Sequence, residues 1–201
     1  MTSEPGTLPY RYGVELPEWL RRKMDALPSH VPDPVERMQL VNRLAAQNIR
    51  HGTGGPFAAL VVDGESGRLV SVGVNLVLDS GIAGAHAEVV GLSLAQAAAG
   101  TWNLPEVLTS TTLVGNAQPC AMCMGALLWS GIRTLEFAVT SEDVERISGF
   151  DEGPVPADWR HQLARRGISV DVGVQEEEGI QVFREYRALV DSQQLPLYNG
   201  T

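Results

Sequence analysis

Short apolar runs and longer helical segments alternate along this chain, and glycines or prolines separate most of them. Apolar runs rich in β-branched residues predict five strands, at 57–63, 68–77, 111–115, 134–139 and 168–172. Segments with helical start and stop signals predict helices at 17–27, 34–51, 85–99, 119–131, near 143, at 157–166 and at 176–192. This order predicts an α/β fold, a three-layer α/β/α sandwich in which helices cover both faces of a mixed five-stranded sheet.

The helix predicted at 34–51 marks the start of the folded domain. Asp33 can cap this helix, Pro34 fits its first turn, and Gly52 ends it. With 201 residues, the chain has the size of one ordinary domain. We therefore expect an N-terminal arm over 1–32, one domain over 33–192 and a C-terminal tail over 193–201.

The composition argues against several classes of protein. Apolar residues make up 44% of the chain, which is enough for a buried core and atypical of disordered proteins. Fifteen Lys and Arg residues against 24 Asp and Glu residues give a net charge of −9, which disfavours a nucleic-acid partner. The chain has no run of about 18 apolar residues that would predict a membrane span, and 1–13 lacks the pattern of a signal peptide. We expect a cytoplasmic protein without membrane partners.

Residue types that bind metals occur at two predicted helix starts. His86-Ala87-Glu88 opens one helix, and Pro119-Cys120-Ala121-Met122-Cys123 opens the next helix, after an intervening strand. One imidazole and two thiolates suit zinc, and three protein ligands leave the fourth tetrahedral position open, as in catalytic sites. The positive end of a helix also lowers the pKa of a thiol. The pattern predicts one Zn²⁺ per chain, held by His86, Cys120 and Cys123.

Glu88 is the expected proton carrier of this site, because a carboxylate beside a metal-activated water can take up a proton and return it to a leaving amine. Other interpretations remain open. The cysteine pair can form a redox dithiol, or it can be half of a structural zinc site with His51 as a further ligand. The combined pattern of imidazole, carboxylate and two thiols favours a catalytic zinc site over both.

At these residues the chain resembles the zinc-dependent cytidine/deoxycytidylate deaminase-like superfamily, which has an H-x-E…P-C-x-x-C signature. The resemblance extends over about 33–151 and implies a zinc-dependent hydrolase. In this superfamily, water activated by zinc attacks a ring carbon that bears an exocyclic amine, and ammonia leaves. The backbone amide of Ala87 or Cys120 would help to polarise the attacked group. Homodimer formation is also implied by the likeness.

Within this superfamily the chain is most similar to bacterial guanine deaminases, which implies a free purine base as substrate. The likeness rests on the Gly-Gly-Pro-Phe turn, an Asn after the second strand, a Trp after the cysteines and Gly-Phe-Asp after the fourth strand. It implies that Phe57 and Trp129 pack on the ring, Asn75 donates and accepts at the base edge, and Asp151 bonds a second amino or ring N–H group. Tyr198 would complete the pocket from the tail. Gln118 and Ala121 depart from the usual Glu and Pro of these enzymes.

Alternative functions and alternative roles also fit the sequence. The chain could deaminate cytosine, cytidine or another nucleoside, and a tRNA adenosine deaminase or a non-catalytic zinc-stabilised module fits less well, since a basic surface is missing for the tRNA. Ordinary structural roles compete with the substrate contacts: core packing for Phe57 and Trp129, strand termination for Asn75, a turn for Asp151 and an interface for Tyr198.

Overall fold

One mixed sheet organises the fold in the computed structural model, which describes residues 12–199. Its strands lie in the order β2-β1-β3-β4-β5. Strand β1 pairs antiparallel with β2 and β3, whereas β3, β4 and β5 run parallel. The bounds are β1 Ala58–Asp63, β2 Leu69–Val74, β3 Thr111–Ala117, β4 Thr134–Val139 and β5 Ser169–Val172. The first eleven residues of the predicted arm and the last two of the predicted tail lie outside the described residues.

Helices cover both faces of this sheet. Their bounds are α1 Glu18–Arg21, α2 Pro34–Arg50, α3 Val77–Ser80, α4 Ala87–Ala99, α5 Ala121–Ser130, α6 Ser141–Ser148, α7 Trp159–Ala164 and α8 Glu176–Asp191. Helices α2 and α8 pack on one face with α6 against α8, and α4 and α5 pack together on the other. The predicted three-layer α/β/α fold is therefore confirmed. In the described part of the chain, no helix is long and apolar enough to cross a membrane.

Local hydrogen bonds explain where helix α2 begins and where the second strand ends. The predicted end of that strand and the predicted helix at 17–27 were both wrong. The Asp33 carboxylate accepts a hydrogen bond from Val35 N at 2.7 Å, which caps α2 as expected. The second strand ends at Val74 instead of residue 77, because the Asn75 side chain accepts from Val77 N and turns the chain into α3. The helix predicted at 17–27 is divided into α1 and a 3₁₀ turn at Met24–Ala26.

A buried ion pair joins α2 to the central strand β4. The Arg37 guanidinium donates to both carboxylate oxygens of Glu136, at 3.0 and 2.6 Å, and both side chains are less than a tenth exposed. Arg37 also donates to the carbonyl oxygens of Val31 and Pro32. The Nη1 group of the buried guanidinium thus holds the segment that precedes α2.

Helix α4 lies unusually close to the sheet, and a glycine permits this approach. A Cβ on Gly73 of β2 would stand 2.1 Å from the carbonyl oxygen of Ala87 and 2.5 Å from Gly91 N. Ser71 of the same strand donates to the carbonyl of Gly91 at 2.7 Å. These contacts fix the first turn of α4, and with it His86, against the edge of β2.

Candidate metal centre and its cavity

Three metal-ligating side chains converge where the first turns of α4 and α5 meet. His86 is the N-cap residue of α4, Cys120 is the N-cap residue of α5, and Cys123 lies in the first turn of α5. The ligand atoms all lie within 4.8 Å of one another. His86 Nδ1 is 3.4 Å from Cys120 Sγ and 3.5 Å from Cys123 Sγ.

These distances fit a tetrahedral zinc ion. With Zn–N of about 2.0 Å and Zn–S of about 2.3 Å, tetrahedral geometry separates nitrogen and sulfur by about 3.5 Å. The ligand set is therefore already arranged for the metal. Both cysteines are free thiols, and the hydrogen bond between them lowers the pKa of Cys120 and raises the pKa of Cys123, so Cys120 is the thiolate of the pair before a metal binds. A thiolate is the form of cysteine that binds zinc.

The cluster has three members within residues 12–199, so the alternative of a structural site with His51 is not supported by its geometry. His51 instead stacks on Trp19, with ring centroids 5.1 Å apart and planes within 3°. Tetrahedral coordination by three protein ligands leaves one position for a small molecule such as water. This is the arrangement expected of a catalytic zinc site.

Glu88 contacts one of the metal ligands through its carboxyl group. Its side chain is 6% exposed, and its Oε2 lies 3.4 Å from Cys123 Sγ. Burial raises the pKa of this carboxyl group. A buried carboxyl group in contact with a metal ligand is suited to exchange a proton with a metal-activated water.

A cavity of about 420 Å³ opens beside the cluster, a size typical of small-molecule sites. It brings together side chains from the turn before β1, the end of β2, both helix starts, the loop after α6 and the tail. Seven residues that the sequence analysis singled out contribute to its lining: Phe57, Asn75, His86, Glu88, Cys120, Asp151 and Tyr198. Phe150 adds an apolar wall and contacts Phe57 edge-on, with ring centroids 5.2 Å apart.

Asn75 presents a hydrogen-bond donor to this cavity. Its side-chain oxygen already accepts from Gly55 N at 3.2 Å, Val77 N at 3.2 Å and the Tyr198 hydroxyl at 2.7 Å. Its amide nitrogen makes no hydrogen bond to any residue between 12 and 199. Sequence reasoning expected Asn75 both to donate and to accept, but three donors occupy its acceptor, so the NH₂ group is what remains for a ligand.

Tyr198 reaches the cavity from the C-terminal tail of the same chain. Its hydroxyl donates to Asn75 and accepts from Gly55 N at 3.2 Å. Burial raises the pKa of this phenol, which therefore stays protonated as a donor. Asn199 fastens the tail next to it, accepting from Asp151 N and donating to the carbonyl of Gly149, both at 3.1 Å.

Two predicted substrate contacts lie outside the cavity. Trp129 is 79% exposed on the outer side of α5, because Cys123, Leu127 and Ser130 form the buried side of that helix. In this chain Trp129 therefore does not line the cavity in which it was expected to pack on a ring. Ala87 is fully buried against β2 and does not contribute to the cavity lining.

Glu152 lines the cavity and was missed by the sequence analysis, which chose its neighbour Asp151. Asp151 is exposed at the rim, and its carboxylate accepts from Gly153 N at 2.8 Å, as in an ordinary turn. Glu152 is 6% exposed, and its carboxyl group has no hydrogen-bond partner in the described part of the chain. Burial, reinforced by the charges of Cys120 and Glu88, raises its pKa to about 9. Its carbonyl accepts from Ala121 N, which anchors it to the start of α5.

The sequence also matches known proteins. Residues 34–139 match the family model of the cytidine and deoxycytidylate deaminase zinc-binding region. Guanine deaminase of Bacillus subtilis is 32% identical over 109 residues, which cover 54% of this chain and 65% of that enzyme. The match thus spans less than two thirds of this curated relative.

Solved structures extend the likeness over most of the chain. The structure of guanine deaminase from Nitrosomonas europaea is 41% identical, with a TM-score of 0.84, and the match covers 91% of this chain and all of that chain. NE0047 in complex with 2,6-diaminopurine has the same identity and TM-score, with 93% of this chain covered and 96% of that chain. The predicted resemblance and the predicted zinc cofactor are confirmed by the family match together with the ligand cluster. The chain belongs to the cytidine and deoxycytidylate deaminase zinc-binding family.

Proposed function

We propose that this protein is a zinc-dependent hydrolase that deaminates a free purine base, with guanine as the preferred substrate. The observation that carries the proposal is a three-ligand zinc cluster with buried Glu88 beside it, at one end of a cavity that also holds Asn75 and Glu152. The 41% identity to a guanine deaminase over 91% of the chain supports guanine, as does the purine bound in NE0047.

His86, Cys120 and Cys123 would hold the zinc ion, which when bound would supply a Lewis acid for the activation of water. The remaining work falls to side chains of the protein. Glu88 accepts a proton from the attacking water and returns it to the exocyclic nitrogen, which leaves as ammonia. Burial of Glu88 keeps this proton away from bulk solvent during the transfer.

The cavity wall provides recognition of the base. Phe57 and Phe150 offer apolar surface to a flat ring, and the Asn75 amide nitrogen donates to an acceptor at the ring edge. The Glu152 carboxyl group, lacking a protein partner, is free to bond an amino or ring N–H group. We assign to Glu152 the purine contact that the sequence analysis gave to Asp151. Tyr198 covers the cavity from the tail.

An ammonia-release assay over guanine, adenine, adenosine, cytosine and cytidine tests this proposal. We expect guanine to have the highest kcat/KM of the five. Efficient turnover of another compound without turnover of guanine would reject guanine and leave a deaminase of different specificity. Purified protein that holds zinc but turns over none of the five would favour a non-catalytic zinc-stabilised module.

We also propose a cytoplasmic homodimer that makes its contact through the outer side of α5. Trp129 and Met122, seven residues apart on this helix, are 79% and 42% exposed and lie on one side of it, and contiguous exposed apolar surface often marks an interface. Met122 also lines the cavity, so a partner on this side of α5 would lie next to the substrate site. Sedimentation equilibrium of the wild type and of Trp129→Ser tests the contact. We expect a dimer that Trp129→Ser weakens, and a monomeric wild type would refute the proposal.

A further inference from the structure

A chain of hydrogen bonds leads from the N-terminal arm to the cavity wall. It begins at Trp19, passes through Thr53 and Asn48, and ends at Gly55 and Asn75. None of the first three residues lines the cavity. Their bonds nevertheless hold together two backbone segments, the turn at Gly55 and the end of β2 at Asn75. We call these two segments the base-binding wall.

Asn48 is the central member of this chain. It lies in the last turn of α2 and is fully buried. Its amide nitrogen donates to the carbonyl of Gly55 at 3.0 Å and to the carbonyl of Asn75 at 2.8 Å. One side chain therefore uses both of its protons to join the turn before β1 to the end of β2, and it satisfies two buried carbonyl groups.

Thr53 helps to fix the orientation of the Asn48 amide. The Thr53 hydroxyl donates to Asn48 Oδ1 at 2.6 Å and accepts from Trp19 Nε1 at 3.2 Å. A flipped Asn48 amide would direct its oxygen at two carbonyl oxygens and its nitrogen at the Thr53 hydroxyl. The two carbonyl groups and the Thr53 hydroxyl together select the orientation that binds the wall, and the hydroxyl also lies 3.2 Å from the backbone carbonyl oxygen of Asn48.

The two segments that Asn48 joins are also bonded to each other. Asn75 Oδ1 accepts from Gly55 N, and Gly54 lies so close that a Cβ there would stand 2.0 Å from the Asn75 carbonyl oxygen. A small shift of either segment would therefore displace the Asn75 amide nitrogen that faces the cavity.

We propose that Asn48 and Thr53 are positioning residues that set the Asn75 donor for binding of the base, with Trp19 linking the N-terminal arm to them. This inference rests on the proposed function for its substrate. Residues outside the cavity thereby affect the affinity for substrate. Substitutions at these residues should leave the metal ligands and Glu88 in place.

The test compares Thr53→Val, which removes the hydroxyl with little change of shape, with Thr53→Ser, which keeps it. Asn42→Ala is the matched control, because Asn42 is a buried residue of the same helix whose amide has no hydrogen-bond partner in the described residues. For each variant, zinc content, KM and kcat for guanine are measured. Amide hydrogen exchange of Gly55 and Val77, which both donate to Asn75, is followed by NMR.

We expect Thr53→Val to raise KM by roughly five- to tenfold, the effect of about one net hydrogen bond, with kcat within about twofold and zinc retained. Exchange at Gly55 and Val77 should accelerate. Thr53→Ser and Asn42→Ala should match the wild type in KM and exchange. Unchanged exchange in Thr53→Val, a fall in kcat alone, or an equal effect of Asn42→Ala would overturn the inference. A wild type inactive on guanine would defeat the proposed function, and the exchange data would still decide the positioning role.

Discussion

Glu152 provides the sharpest test of how the cavity recognises its substrate. Glu152→Leu keeps most of the bulk of the side chain but removes its carboxyl group, whereas Gln would still offer an amide oxygen as acceptor. The carboxyl group is 6% exposed, lines the cavity and has no hydrogen-bond partner within 12–199. Its loss therefore breaks no contact within the described protein, and the effect reports on the ligand.

The pKa of about 9 keeps the Glu152 carboxyl group uncharged near neutral pH, so the expected magnitude is the cost of leaving a buried donor of the base without its partner, about 1–3 kcal/mol. At about 1.4 kcal/mol for each factor of ten, this corresponds to a fall of about 5- to 150-fold in kcat/KM for guanine. Asp151→Asn should change kcat/KM by less than about threefold. Asp151 is exposed, and the amide oxygen of Asn can still accept from Gly153 N.

Steady-state deamination of guanine, normalised to zinc content, measures both variants. Thermal unfolding checks that each remains folded. A larger loss in Asp151→Asn than in Glu152→Leu would return the purine contact to Asp151. Wild-type kcat/KM in Glu152→Leu would refute the reasoning that a buried carboxyl group without a partner serves the ligand.

Three further predictions concern the metal centre and the ion pair. Glu88→Gln should keep stoichiometric zinc and the wild-type Tm but lower kcat by about 10²- to 10⁴-fold; metal analysis with turnover checks this, and loss of zinc would contradict it. Cys123→Ala should lose stoichiometric zinc, and a chelator should lower the Tm of the wild type but not of this variant. Glu136→Gln should reduce the free energy of unfolding by about 3–5 kcal/mol because it leaves Arg37 buried without its charge partner, and Arg37→Met with Glu136→Leu should restore most of this in urea denaturation.

The metal centre could be predicted from the sequence because its members depend on local signals. His86 and Cys120 each precede the first residue of a helix, and Cys123 follows within one turn. A helix start fixes side-chain direction to within a narrow range, and the intervening strand β3 returns the chain to the same edge of the sheet. The layers followed from the same alternation of short and long segments, whereas the strand order β2-β1-β3-β4-β5 was not predicted and is a finding of the structure.

The cavity wall could not be predicted in the same way, because adjacent residues there direct their side chains to different sides of the backbone. Asp151 and Glu152 occupy a loop without periodicity, so no pattern tells which side chain enters the cavity. The backbone decides this through the bond from Ala121 N to the Glu152 carbonyl. Trp129 illustrates the opposite case: once Cys123 defines the buried side of α5, helical spacing directs Trp129 elsewhere.

These two kinds of position imply two kinds of mutational effect. Residues at the helix starts are held by the backbone of their own helix. The backbone of α4 packs directly against Gly73, which leaves it little room to move. Changes there should act on zinc and on kcat. The base-binding wall is instead joined by side-chain bonds between segments far apart in the chain, such as Asn75 with Tyr198 and Asn48 with Gly55. Changes in those bonds should act mainly on KM. Relatives with the same metal centre can therefore differ in substrate, because the wall can be altered without disturbing the zinc ligands.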